Sequence, residues 1–323
     1  MTIGNTTQFG DRGVLREIYA PAFEDAVFRN NQLLGLTYRG NPVIPEVPMT
    51  GGAIRFPINY SGNSSAAVFT EGAAAPQPVA QSYLSAAYTP TYFWAWCRVT
   101  GHVRDQVRNG AVAGSANPLD NELMASFEDV RDLMNTSFMA STYGLELMVD
   151  DGSTNAGIAQ GTYTWWAGQV TNHNGALTRA GLLNIHEKAR DTYGGKTDLI
   201  LTAHNQATNY IQLTGEPNAQ NSSVTAELGL IGGGALDIAP SHMGLSFMGA
   251  PIVPLQDWTD TIWLGLDLRR TKTGPNVFQA IARDFDIRGP QMAGDDDVFE
   301  VSSARLVGVR RPQLCWKLED VTA

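Results

Sequence analysis

With 323 residues, 43% of them apolar and only 17% charged, the chain can bury a sizeable core but presents a surface poor in charge. Its 32 Asp and Glu against 22 Lys and Arg leave a formal net charge of -10, which, with no cluster of basic residues, excludes a tight nucleic-acid-binding surface. No apolar run of the ~18 residues needed to span a bilayer occurs, and the opening MTIGNTTQFGDRG has neither a basic nor an apolar signal region, so a soluble protein that meets no membrane is expected.

The 33 Gly and 16 Pro, with many small polar residues, favour strands, turns and extended arms, hence a β-rich mixed protein. Residues 14–34 carry apolar positions at three- and four-residue spacing interrupted by Pro21, which predicts a loose arm and then a short helix. Residues 35–57 are extended chain punctuated by Pro42, Pro45, Pro48 and Gly51-Gly52. IRFPINY (54–60) and the aromatic TPTYFWAWCRVTGHV (89–103) read as strands bracketing a small, polar, Pro-punctuated stretch. That pattern predicts a long projecting hairpin with little core of its own, which a neighbouring molecule should order.

The clearest helix begins with Asn117 as N-cap and Pro118 at the first helical position and runs to about Gly144. Leu119, Leu123, Phe127, Val130, Met134, Phe138 and Met139 form one apolar stripe along it. Residues 145–276 read as an α/β unit. It comprises a helix from Thr178 to Tyr193 ended by Gly194-Gly195, a buried strand DLILTA (198–203), a helix from His204 to Leu213, and a turn-rich loop over 214–234. Strands return at 244–255 and 260–268. The tail predicts two long strands around an acidic turn, closed by a third strand after Pro312.

Catalytic signatures fail. His186-Glu187 lacks a second histidine, since residue 190 is Arg190, and the five histidines share no spacing. The Gly-rich stretch Gly229 to Gly234 lacks the Lys-Ser/Thr of a phosphate loop. Asp295, Asp296 and Asp297 are the candidates for a divalent cation, with a solvated turn as the simpler reading. Cys97 and Cys315, far apart and flanked by apolar residues, read as reduced packed thiols. The tryptophans Trp94, Trp96, Trp165, Trp166, Trp258, Trp263 and Trp316 are spread among strands and read as core or subunit-contact residues rather than a sugar platform. No cofactor is implied.

The order of these elements resembles the tailed-bacteriophage major capsid proteins of the Hong Kong 97 fold. The closing pattern carries most of it: FDIRG, a polar loop, then SSARLVGVRRPQLCWKL is similar to the family's arginine-containing strand, proline and terminal hydrophobic strand. Phe247-Met248-Gly249-Ala250-Pro251-Ile252-Val253-Pro254, followed by Trp263-Leu264-Gly265, resembles its axial-domain strand pair.

The resemblance implies an α+β fold with an N-terminal arm (1–50), an extended E-loop hairpin (51–103), and a peripheral domain (104–149 and 277–311) whose long spine helix spans about 118–143. It also implies an α/β axial domain (150–276 and 312–323). Inter-subunit contacts are then expected at Asn63, Ser64, Phe69, Glu71, Pro76, Pro78, Arg288 and Asp295. Residues 54–103 contain no lysine, so the isopeptide weld used by some family members is excluded. No long, charged, helical N-terminal extension is present, so scaffolding is expected to be a separate protein or a removed leader.

By the same resemblance the chain assembles with itself into hexamers and pentamers, forming an icosahedral shell around double-stranded DNA that it binds without sequence specificity. Portal, scaffolding and decoration or cementing proteins would be partners, assembly would take place in the host cytoplasm, and the virion capsid would be the final location. The competing readings are an encapsulin-type nanocompartment and a soluble enzyme or sugar-binding domain.

Overall fold

A computed structural model describes residues 33, 36, 43–49, 51–61, 81–101, 118–140, 144–214, 245–271, 274–293 and 296–322. In chain order the first strands are β1 (Glu46–Pro48), β2 (Ile54–Asn59), β3 (Tyr83–Tyr88) and β4 (Thr91–Val99). Helix α1 (Pro118–Ala140) and the single turn α2 (Leu145–Met148) follow, then the short hairpin of β5 (Thr154–Asn155) and β6 (Ile158–Ala159). Next come β7 (Gln169–Ala176), α3 (Arg179–Tyr193), β8 (Leu199–Ala203) and α4 (His204–Thr214). The chain resumes with β9 (Ser246–Phe247), β10 (Ala250–Leu255), β11 (Trp263–Leu266), β12 (Arg270–Thr271) and β13 (Gly274–Pro275). It ends in β14 (Val277–Ala293), β15 (Asp296–Val309) and β16 (Trp316–Thr322).

Two sheets result. One has the order β1-β14-β15-β4, built around the long antiparallel β14/β15 ribbon. Its register shifts at Ile281/Arg283, Arg283/Asp286 and Arg288/Gln291, the bulges that let so long a ribbon bend. Helix α1 lies on this sheet: Leu123, Phe127, Val130, Met134 and Phe138, three or four residues apart, are all buried. Phe138 meets Phe93 of β4 edge-on at 5.8 Å, and Phe127 meets Phe285 of β14 at 4.9 Å. At ~1.5 Å per residue the helix is roughly 35 Å long. Arg305 of β15 is fully buried, paired with Asp284 and stacked over the Phe285 ring at 4.9 Å.

The other sheet is mixed, with the order β7-β16-β11-β8-β10-β9. Strands β8, β10 and β11 are buried at every position, so both faces must be covered. Strand alternation decides how: Leu199, Leu201, Val253, Leu255, Leu264 and Leu266 join the large core shared with α1 and the first sheet. The intervening Ile200, Ile252 and Trp263 join a second core beneath α3 and α4, with Leu182, Ile185, Ala207 and Tyr210. Helix α3 is capped by the Thr178 hydroxyl, which accepts from the Gly181 N–H, and is stopped by Gly194 at φ 70°.

The third strand of the tail does not extend the first sheet. A turn at Pro312–Leu314 carries the chain across, and β16 inserts in the second sheet between β7, parallel to it, and β11, antiparallel to it. One expectation is corrected: the partner of β2 is β3, paired from Ile54↔Tyr88 to Asn59↔Tyr83, not the aromatic strand. YLSAAY alternates well enough to pair, and Thr89-Pro90 then breaks the chain, since proline cannot donate to a ladder. Freed by that break, Thr91–Val99 joins β15 in the first sheet. The predicted strand over 244–255 is likewise a tight hairpin, β9 to β10, turning through Met248 and Gly249 at φ 52° and 84°. The arm and most of the predicted helix after Pro21 lie outside the described residues; Leu33 and Leu36 are described, helical and buried.

Candidate assembly surface

Strand β4 has one face in the core and one in solvent. Phe93, Cys97 and Val99 are buried. The alternate residues are also large and aromatic, yet Tyr92 is 59% exposed, Trp94 60% and Trp96 56%. In register beside them on β15 stand Ala304, Ser302 and Glu300, and beside those on β14 Arg283, Asp286 and Arg288. Directly opposed residues share a face. On this face an exposed aromatic row and a charged row, in which Arg288 Nε donates to Asp286 Oδ2 at 3.1 Å, flank a middle row whose Ala304 and Ser302 are buried. Arg98 continues the aromatic row and pairs with Asp296. Contiguous exposed aromatics on one strand are unusual on a surface that stays in water, which solvates them poorly.

The β2/β3 ribbon stands on the body through its foot. Phe56, Ala86 and Tyr88 are buried, with Phe56 stacked on Tyr88 at 6.1 Å and near Trp166 at 6.3 Å, and Tyr88 edge-on to Phe278 at 5.6 Å. The Tyr88 hydroxyl donates to Val309 O at 2.6 Å and accepts from the Val309 N–H at 3.2 Å, with Asn155 Oδ1 at 2.7 Å. Burial raises the phenol above its ordinary pKa, so it stays neutral and keeps its proton to donate. The ribbon is thus clamped at its foot, and at its other described end Tyr83 is exposed while Tyr60, also exposed, stacks on Trp165 of the same chain.

Of the residues expected at subunit contacts, Arg288 lies on this face, next in register to Glu300 and then Trp96. Asn63, Ser64, Phe69, Glu71, Pro76, Pro78 and Asp295 lie outside the described residues. Asp296, a candidate cation ligand, is taken up by Arg98, and among the described residues no group of three or more His, Cys, Asp or Glu side chains converges on one point. Trp166, Trp258, Trp263 and Trp316 are core residues, so the tryptophans divide between interior and surface. The signal for the aromatic face was the string TYFWAWCRV itself, which is apolar on both faces of the strand.

Residues 79–267, more than half of the chain, match the family model of the SU10 major capsid protein. The chain belongs to that family. It is a capsid shell protein, related to structural rather than catalytic proteins. None of the curated proteins matches it. The solved structures similar to it include the capsid asymmetric unit of cyanophage A-1(L), at 16% identity and a TM-score of 0.66, covering 90% of this chain and 93% of that one. Mycobacterium phage Bobi matches at 11% identity and 0.54, covering 91% of each chain. The SrpI encapsulin of Synechococcus elongatus matches at 13% identity and 0.57, covering 86% and 85%. These likenesses establish the Hong Kong 97 fold.

Proposed function

We propose that this capsid protein closes an icosahedral phage head as hexamers and pentamers around double-stranded DNA, carrying out no catalysis of its own. One observation carries the reading: the outward face of β4 presents Tyr92, Trp94 and Trp96 to solvent beside the Asp286–Arg288 pair, a surface with the composition of an interface core and its polar rim. A second copy is the occupant. In this reading residues 104–149 with 277–311 form a peripheral domain and 150–276 with 312–323 an axial domain, the latter meeting its copies at the capsomer axis. The ribbon of β2 and β3 reaches across a neighbour, and Asn63, Ser64, Phe69, Glu71, Pro76 and Pro78 make contacts with it, joined by Arg288 and Asp295. With no lysine between positions 54 and 103 to form a covalent weld, the shell relies on the arm or on a separate cementing protein. Scaffolding and portal proteins are further partners, and assembly takes place in the host cytoplasm.

The -10 charge suits a container whose wall does not hold its DNA. An encapsulin-type compartment shares the fold, and particle content separates the two: nucleic acid for a phage head, a discrete protein cargo for a compartment. Electron microscopy and size-exclusion chromatography of the purified chain test the proposal. Capsomers or closed particles are expected, and a monodisperse monomer persisting at high concentration would overturn it.

A further inference from the structure

Where the ribbon foot meets the turn after β15, a cavity of about 360 Å³ opens, within the size range of small-ligand sites. Two arginines line it, Arg310 and Arg311, and among the described residues no acidic one does, in a chain with ten more acidic than basic residues. Arg310 is only 8% exposed. Its guanidinium carbon lies over two aromatic rings, 5.2 Å from the Phe56 centre and 4.9 Å from that of Phe278. Among the described residues it has no anionic partner, and its buried Nε has no hydrogen-bond acceptor.

Ring faces attract a cation but supply no lone pair, so the contacts with Phe56 and Phe278 leave the Nε donor without an acceptor. A buried charge left in this state is costly unless something anionic completes it. Burial accordingly pulls Arg310 below its ordinary pKa, with the nearby Tyr88 opposing. Arg311 is exposed on the same wall and adds a second fork. Opposite, Tyr60 stacks on Trp165 at 5.4 Å with 11° between the planes, giving a flat apolar wall for whatever carries the anion.

We propose that this cavity is an oxyanion site that takes a carboxylate or phosphate group through Arg310 and Arg311, with the Tyr60–Trp165 wall packing against its carrier. The group comes either from a free small anion or from an acidic side chain of a second copy. The site stands independently of shell formation, and only the source of the anion depends on assembly.

The test is calorimetric titration of the full-length chain with inorganic phosphate and, separately, succinate at fixed ionic strength, first unassembled and then as shells. Saturable binding of one anion per unassembled chain is expected. Arg311→Gln, a surface change that leaves the fold intact, should weaken it about tenfold, the loss expected for one charge-assisted hydrogen bond. Arg310→Met, which keeps a stem against the two rings, should abolish it, with far-UV circular dichroism confirming its fold. Binding to both unassembled chain and shells assigns a free anion. Binding to the unassembled chain alone assigns a neighbour's carboxylate that fills the site on assembly. Absence of saturable binding to the unassembled chain, or an affinity unchanged in Arg311→Gln, overturns the proposal.

Discussion

Replacing Trp94 and Trp96 together by threonine separates self-association from folding. Both indoles are more than half exposed, at 60% and 56%, and a tryptophan offers up to ~250 Å², so the pair presents roughly 290 Å² to water. At about 25 cal/mol per Å², full burial against a second copy is worth at most about 7 kcal/mol per subunit. If half survives the cost of ordering and polar desolvation, about 3 kcal/mol remains, equivalent to about a hundredfold in critical concentration. Threonine keeps the strand propensity of β4, and its partners Ser302 and Glu300 are untouched, so unfolding free energy should move by no more than ~0.5 kcal/mol. Light scattering across a concentration series reads the assembly threshold, and denaturant unfolding of the dissociated chain reads the fold. A double variant that forms shells at the wild-type threshold would refute the assignment of this face to a subunit contact.

The interior makes its own predictions. A Cβ added at Gly265 would sit 2.1 Å from Trp316 Cε2 in the middle of the second sheet, so Gly265→Ala should cost about 3 kcal/mol or more and lower the melting temperature, checked by thermal unfolding. Cys315 is fully buried with its thiol pushed up to about 12 by desolvation, and Cys97 is buried and raised for the same first reason. A thiol reagent at mildly alkaline pH should therefore leave the native chain unlabelled and count two thiols after denaturation. Lys317, buried in β16, bridges Asp150 at 2.9 Å and Glu319 at 2.6 Å. Burial pulls the ammonium down but those two hydrogen bonds outweigh it and hold it above its ordinary value; burial likewise pushes Asp150 up, and Lys317 holds it below. Asp150 thus contributes stability that is present above the unfolded carboxylate pKa and lost as pH falls through its lower folded value, while the Lys317 contribution is lost only as pH rises through its raised one. Glu146, raised chiefly by burial, works in the opposite sense to Asp150 and shallows the acid limb. Lys317→Met should destabilise by about 2–3 kcal/mol at neutral pH, a deficit that shrinks in acid, as denaturant unfolding at a series of pH values will report.

Local signals carried much of the architecture. Helix α3 was legible because its cap Thr178 and its stop Gly194 are single residues whose chemistry acts within one turn, and α1 because its stripe repeats through the whole helix. Strand β3 was not: YLSAAY is small and weakly apolar, and its pairing with β2 is fixed by Phe56, Ala86 and Tyr88 sinking into rings contributed by Trp166 and Phe278. Such a contact joins residues a hundred or more positions apart and leaves no periodicity to read. The same reason hid the arginine cavity, whose walls come from residues 56–60, 165–166, 193, 310–311 and 313. The aromatic face was half visible. Alternation in TYFWAWCRV announced two apolar faces, but only the pairing of β4 with β15 at the sheet edge decided that the one bearing Trp94 and Trp96 faces water.

Charge and aromatic surface together determine how association should respond to salt. Each copy carries -10, so bringing copies together opposes like charge. At physiological ionic strength the screening length is only ~8 Å, about the thickness of a side-chain layer, so that repulsion fades unless the salt is low. The attraction from Tyr92, Trp94 and Trp96 is apolar and barely screened. Adding salt to a dilute buffer should therefore lower the assembly threshold and then level off, and the Trp94/Trp96 double variant should show the same slope from a higher starting point. A threshold that climbs steadily with salt would mean that exposed opposite charges such as Asp286 and Arg288 hold the copies together, leaving the aromatic row a bystander.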